Sequence, residues 1–310
     1  MYNGFVIQEN MKNNKFYDGN TYKFGITVDN LQYIVKFAHN NQVSTIYSEY
    51  VASNFIREIG IPCQKVWIGF YKQEMVLIIY DFGNDDLKLH TFLSTQQSSV
   101  DTDLPSKHYT YTDVLDLIEK HTKMTAGAKQ QAKIQFWQMF ICDAILGNRD
   151  RHHGNWGYVI NSKNEYSISP IYDNGGSLFP DVSQNIQQYT YQNAELEYKF
   201  IEQRSEKYPA SLFQIETTTV QGVKLRRTNY NKILADLRIN KILATEVRSI
   251  RENIGLKGVY NAIMHVVTST NLIEQPYARF YVMIVCVRYM HLIERKSVKT
   301  SYNIMKGLLK

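Results

Sequence analysis

Residues 147–157 read GNRDRHHGNWG and place Asp150, Arg151, two histidines and two asparagines between an apolar helical run and an apolar strand-like run. A surface turn needs a glycine and one asparagine or aspartate. It does not need a carboxylate, an imidazole pair and two amides at fixed offsets. Asn155 stands five residues after Asp150, and a further carboxylate, Asp173, follows in YDNGG. Two carboxylates and an amide oxygen suit phosphoryl transfer: one carboxylate orients an accepting hydroxyl, and the other two oxygens hold a divalent cation.

Protein kinases carry these groups in this order, with the amide ligand five residues after the carboxylate and the second metal ligand beyond a short hairpin. The stretch between Asn155 and Asp173 has room for two short strands and a turn. Phosphoryl transfer also needs a lysine on the phosphates and a residue to hold it. Lys36 in YIVKFA stands in an apolar strand, and Glu49 lies on the next helix, able to turn toward it. Alone, each of these is an ordinary surface or turn residue. It is their order along the chain that points to a site.

The adjacent His152 and His153 do not suit a zinc site, because neighbours in sequence do not face one point on a regular element and no cysteine cluster supports them. His152 is expected to brace the loop or to contact phosphate. Arg151 is expected either to pair with a carboxylate or phosphate or to be an ordinary surface arginine.

The elements that would position these groups can be read from periodicity. TYKFGITV, QYIVKFA, QKVWIGFY and EMVLIIYDF are alternating or β-branched runs and predict antiparallel strands within residues 21–83. One helix interrupts them over about TIYSEYVASNFIREIG and stops at Gly60 and Pro62. STQQSSVDTDLPSK reads as a loop or linker. Helices dominate from residue 112, notably over 129–148, 230–254 and 275–295, with a short hairpin after Asn155. The expected fold is α+β and two-lobed, of protein-kinase-like form. A small β-rich N-terminal lobe, 1–83, ends in a hinge, and a larger, mainly helical lobe, 84–310, carries the catalytic and metal-binding loops. A cleft between such lobes is a favoured ligand site.

Composition sets limits on this reading. The 310 residues are 44% hydrophobic and 21% charged, which is globular rather than disordered. A net charge of +6 fits an anionic ligand but is too mild and dispersed to announce a nucleic-acid partner. The basic stretch VKLRRTNYNK, 223–232, reads as a solvated loop or helix start. Three cysteines cannot build a disulfide framework and fit a reducing compartment. The N-terminus has no signal-peptide pattern. YARFYVMIVCVRYMHLI, 277–293, carries Arg279, Arg288 and His291 and reads as a buried helix rather than a membrane span. A cytoplasmic protein with no membrane partner is expected.

AILGNRDRHHGNWGYVI followed by ISPIYDNGGSL, together with YIVKFA and SEYVASNFIREIGIP, resembles the HipA-like serine/threonine kinase family over about residues 20–180. The resemblance implies an ATP-dependent protein kinase. Asp150 would be the catalytic base, Asn155 and Asp173 the magnesium ligands and Lys36 the ATP contact. Adenine would lie against backbone groups of Ile79, Tyr80, Asp81 and Phe82. It also implies a serine or threonine acceptor on a protein, including the chain itself, and leaves export to other cells as a bacterial effector open.

Three departures from the pattern matter. The chain begins close to the lobe that would bind ATP, which puts the antitoxin and DNA partnership of toxin-type relatives in doubt. No glycine-rich loop is present: FYDGNTYKFGITVD offers Gly19 and Gly25, and by position it is the phosphate-covering or autophosphorylated loop, with Thr21 as a candidate acceptor. DNG replaces the DFG of ordinary kinases, so an aromatic switch cannot operate there. The alternatives are a lipid or small-molecule kinase of phosphoinositide-kinase type, which shares the Asp-Arg-His and asparagine pattern, and a nucleotide-binding pseudokinase scaffold.

Overall fold

A computed structural model describes residues 1–17, 21–94, 110–182, 186, 193–206, 214–219, 222–227 and 230–309. Five strands form one sheet: β1 (Phe5–Ile7), β2 (Lys23–Val28), β3 (Leu31–Lys36), β4 (Val66–Tyr71) and β5 (Glu74–Tyr80), in the order β1-β4-β5-β3-β2. The last four pair antiparallel, as their alternation requires, whereas β1 joins β4 in parallel.

Two-residue turns set the register. Asp29-Asn30 and Lys72-Gln73 all adopt positive φ, the geometry whose twist matches a tight hairpin. Asp-Asn is a natural sequence for that turn, but Lys-Gln is not. In the second case the paired apolar strands impose the turn on the residues between them.

Helix α1 (Val43–Glu58) crosses this sheet and is buried over most of its surface, with Ile46, Tyr50, Val51 and Phe55 in the core. Past β5 the chain enters a second, three-stranded sheet. There β6 (Lys88–Thr91) pairs with β7 (Gly157–Ile160), and β7 with β8 (Tyr166–Ile168). The hairpin expected after Asn155 is present, and β6 adds a third strand to it. Most of the expected linker, 94–107, lies outside the described residues.

The larger lobe is helical: α2 (Tyr111–Lys120), α3 (Ala126–Leu146), α4 (Ala194–Glu206), α5 (Tyr230–Ala235), α6 (Lys241–Ser249), α7 (Gly255–Thr268), α8 (Gln275–Leu292) and α9 (Val298–Leu308). A two-stranded hairpin, β9 (Gln214–Thr219) and β10 (Gly222–Arg227), stands among them. It corrects the reading of 223–232 as a loop or helix start over Val223–Arg227, whereas a helix does start within that stretch, at Tyr230. Val223–Arg227 is strand, and the alternation of apolar and basic residues in VKLRR is the period-two pattern that charge counting obscured. The fold is α+β and two-lobed.

Helix α8 is the buried helix expected at 277–293, and none of the described helices is long and apolar enough to cross a membrane. Its Arg288 is fully buried, and burial pulls its guanidinium down to about 10. It donates to the carbonyls of Ala144 and Ile145 at the C-terminal end of α3 and to that of Arg204. A cation there satisfies orphan carbonyls and complements the helix dipole.

Helix α3 starts on Thr125, whose hydroxyl accepts from the Ala128 amide, and stops at Gly147 with φ 68°. A Cβ at 147 would meet the Phe179 ring at 2.5 Å. Strain and contact act together, so Gly147→Ala should lower stability by about 1–3 kcal/mol, read as a fall in urea midpoint at unchanged slope.

Candidate active site

Lys36 closes β3, and Glu49 occupies the second turn of α1 on the face that looks at the sheet. The Lys36 ammonium lies 2.5 Å from Glu49 Oε2 and 3.0 Å from Asp173 Oδ1. Burial works against its charge, but the two carboxylates outweigh it and raise the group above its ordinary value. Burial likewise opposes ionisation of Asp173, and the Lys36 ammonium, then Arg151, overcome it, so this carboxyl is held below its usual range. The lysine of one lobe and the aspartate of the other therefore stabilise each other as ions. Gln64, next to β4, donates to the other Glu49 oxygen at 3.0 Å.

Beyond Gly147 the chain is held by a buried arginine. Arg151 uses all five of its N–H groups: two on Asp143 Oδ1 and Oδ2, and one each on the carbonyls of Asn155 and Tyr172 and on Asn174 Oδ1. The pair with Asp143 is fully desolvated, with side chains 1% and 2% exposed. Asn148 donates to Asp143 Oδ1 and accepts from the Asp150 amide, and Tyr230 donates to the Asn148 carbonyl. The Asn155 amide donates to the Asp150 carbonyl at 2.9 Å, which leaves its Oδ1 as the atom for a cation.

The two histidines part. His152 Nδ1 accepts from the Gly154 amide and braces the turn, while His153 packs against Phe92. Burial, with the neighbouring His152, holds His153 down at about 4.

A cavity of about 540 Å³ brings Lys36, Glu49, Asp150, His152, Asn155, Asp173 and Thr21 to one lining. Its floor is the close approach of two loops: a Cβ on Gly176 would sit 2.6 Å from Asp150 Cβ and 2.8 Å from Asn148 Oδ1. Lys23 and His39 line it too. Lys23 pairs directly across from Lys36 in the β2–β3 register, so its side chain emerges on the same face. Sequence reasoning missed Lys23, although KFGITVDNLQYIVK is a hairpin whose register gives this pairing.

Ile79, Tyr80, Asp81 and Phe82 are not among the residues lining this cavity. The Tyr80 and Asp81 amides donate to the carbonyls of Lys65 and Gln32. The Asp81 carboxylate accepts from Lys15, Tyr17 and the Gly83 amide. Gly19 lies outside the described residues.

Asp173 and Asn155 offer one carboxylate and one amide oxygen at the mouth of this cavity. That suits magnesium, which takes one or two protein oxygens and leaves the rest of its shell to water and phosphate. Among the described residues no group of three or more His, Cys, Asp and Glu could form an all-protein metal cage. A larger cavity of about 690 Å³ near α7 and α8 has Glu274 and Arg279 as its charged lining side chains and no comparable set.

The family described as HipA-like C-terminal domain matches residues 13–242. The serine/threonine-protein kinase CtkA of Helicobacter pylori is 33% identical over 189 residues, covering 58% of this chain and 57% of that protein. The chain thus spans little more than half the length of this curated relative. The crystal structure of the H. pylori proinflammatory kinase CtkA superimposes with a TM-score of 0.77 at 24% identity, over 98% of this chain and 99% of that one. At that identity the likeness is one of fold: the same two-lobed α+β architecture.

Proposed function

From the premise that the chain belongs to the HipA-like C-terminal domain family, we propose that it is an ATP-dependent serine/threonine protein kinase that also phosphorylates itself. In this reading residues 1–83 take the nucleotide and 84–310 supply the catalytic and metal loops. One observation carries it: Lys36, Glu49, Asp150, Asn155 and Asp173, scattered over 137 residues of sequence, line a single cavity between the lobes.

The chemistry asked of the protein is alignment and charge neutralisation. Lys36, kept cationic by its two carboxylates, takes phosphate oxygens of ATP, and Lys23 adds a second positive charge from the neighbouring strand. Glu49 holds Lys36 in place. Asn155 Oδ1 and Asp173 would ligate magnesium. When bound, that ion supplies charge neutralisation on the phosphate oxygens. Asp150 accepts a hydrogen bond from the acceptor hydroxyl and takes its proton as the new oxygen–phosphorus bond forms and the bond from the γ-phosphorus to the bridging oxygen breaks, releasing ADP. His152 keeps the loop between Asp150 and Asn155 at its length.

The test is transfer of labelled γ-phosphate from ATP with magnesium, to the chain itself and to a basic protein acceptor. Label on protein is expected. ATP binding without label on either would overturn the reading in favour of a lipid or small-molecule kinase or a nucleotide-binding scaffold. Lys36→Met should cost roughly 10²–10³-fold in turnover, the range seen when one fixed electrostatic donor is lost, and initial rates of label transfer measure it.

A further inference from the structure

Glu49 and Asp173 flank Lys36, yet they belong to a helix and a loop that the sequence separates by more than a hundred residues. What holds them in register is a buried cluster outside both motifs. Gln64 Nε2 donates to Glu49 Oε1 at 3.0 Å and to Ser53 Oγ at 3.2 Å, while its Oε1 accepts from the Asp173 amide at 3.4 Å. Asn174 Nδ2 donates to the same Ser53 Oγ at 3.0 Å and to Cys63 Sγ at 3.3 Å, and its Oδ1 accepts from Arg151. Ser53 lies four residues after Glu49, hence on the same face of α1 one turn on.

We propose that Gln64 and Asn174, whose amides meet on the Ser53 hydroxyl, are positioning residues that fix Asp173 against the Lys36–Glu49 pair. The proposal rests on the reading of Asp173 as the metal ligand. Neither amide lines the cavity, so neither touches a nucleotide, and each acts through its neighbours. Ser53 and Asn174 are fully buried and Gln64 is 4% exposed. Buried amides are costly unless paired, so each of these bonds resists being broken singly.

Gln64 is pinned by its main chain as well. Its amide donates to the Ile171 carbonyl, and the Ile171 amide donates to Pro62, a short parallel bridge between the start of β4 and the metal loop. Where an aromatic ring after the aspartate could swing as an apolar unit, Asn174 cannot turn without leaving Arg151 and Ser53 short of partners. The loop that carries Asp173 has one position.

The experiment is hydrogen–deuterium exchange without nucleotide, read by mass spectrometry on peptides covering 171–176, beside the magnesium dependence of label transfer. Native chain, Gln64→Met and Ser53→Ala are compared, with the exposed turn that carries Lys163 as internal reference. In the native chain the Gln64 oxygen accepts from the Asp173 amide and the Asn174 side-chain amide is bonded to Ser53, so this segment exchanges slowly. In Gln64→Met the Asp173 amide loses the Gln64 oxygen that it donates to, and its exchange should be about tenfold faster, while the magnesium concentration for half-maximal label transfer rises and the KM for ATP stays near native. Ser53→Ala should speed exchange of the same segment by less, and the reference turn should not change.

Profiles that superimpose in the folded variants would overturn the proposal. A loss of fold in Gln64→Met leaves the decision to Ser53→Ala, which removes a single oxygen. A parallel arm with magnesium and ATP separates the two readings. Absence of label transfer by the native chain would sink the kinase assignment, whereas the difference between native and variant exchange profiles, measured without nucleotide, decides the positioning role.

Discussion

Asp150→Asn is expected to lower phosphoryl transfer by roughly 10²–10⁴-fold, the span attributed to a placed general base, while ATP affinity and stability stay near native. The surroundings of Asp150 separate the two effects. Its main chain is fixed at both ends, the amide by Asn148 Oδ1 and the carbonyl by the Asn155 side chain. Its carboxylate makes no hydrogen bond or ion pair with another described residue and lines the cavity, so an isosteric amide disturbs no packing. What is lost is the ability to take a proton. Single-turnover rates beside calorimetric ATP titration check this. Transfer surviving above about a tenth of native, where a lost base should cost at least a hundredfold, would remove Asp150 from the role of base.

Arg151→Met should have the largest effect on stability, a loss of about 3–5 kcal/mol, because it breaks a buried ion pair from one side. The cost has named sources. The Asp143 carboxylate would keep only Asn148 as a side-chain partner, and the carbonyls of Asn155 and Tyr172 and the amide oxygen of Asn174 would each lose a donor. Urea unfolding gives the number. The double variant Asp143→Leu/Arg151→Met should recover part of the loss, since two apolar groups leave no unpaired charge at that point. Equal destabilisation by the single and double variants would mean that the carbonyl contacts, rather than the ion pair, carry the energy.

The positions of Lys36, Glu49, Asp150, Asn155 and Asp173 could be read in the sequence because Glu49 lies within a helix, and the others at or just beyond the ends of elements, that local pattern predicts. A strand ends at Lys36, a helix stops at Gly147 and a hairpin closes before Asp173. The strands β2 to β5 and the long helices could be read for the same reason: period-two and apolar patterns dominate where one face is buried. Strand β1 could not, since three residues are too few for a period and its partner lies on a distant strand. Arg151 could be placed in the loop but not in the core, because its burial is decided by Asp143 on α3. The visible signal was a lone carboxylate inside the apolar run FICDAIL. Gln64, Ser53 and Asn174 gave no local signal, because a buried polar network exists only once distant segments meet. At 223–227 alternation, rather than the count of charges, was the signal of a strand, while the helix start offered for this stretch lies at Tyr230.

Strand β1 has a temporal side. Phe5–Ile7 pairs with Gly69–Tyr71, Asn3 reaches the Ile68 amide, and the Gly4 amide reaches the Ile68 carbonyl. On a ribosome adding roughly 5–20 residues per second, the first strand waits several seconds for its partner to be made. During that interval its apolar side chains and open backbone edge are unprotected. Unlike the hairpins beside it, which close as soon as they emerge, this strand waits longest of the five for its partner, and it is where a chaperone has the longest opportunity to bind.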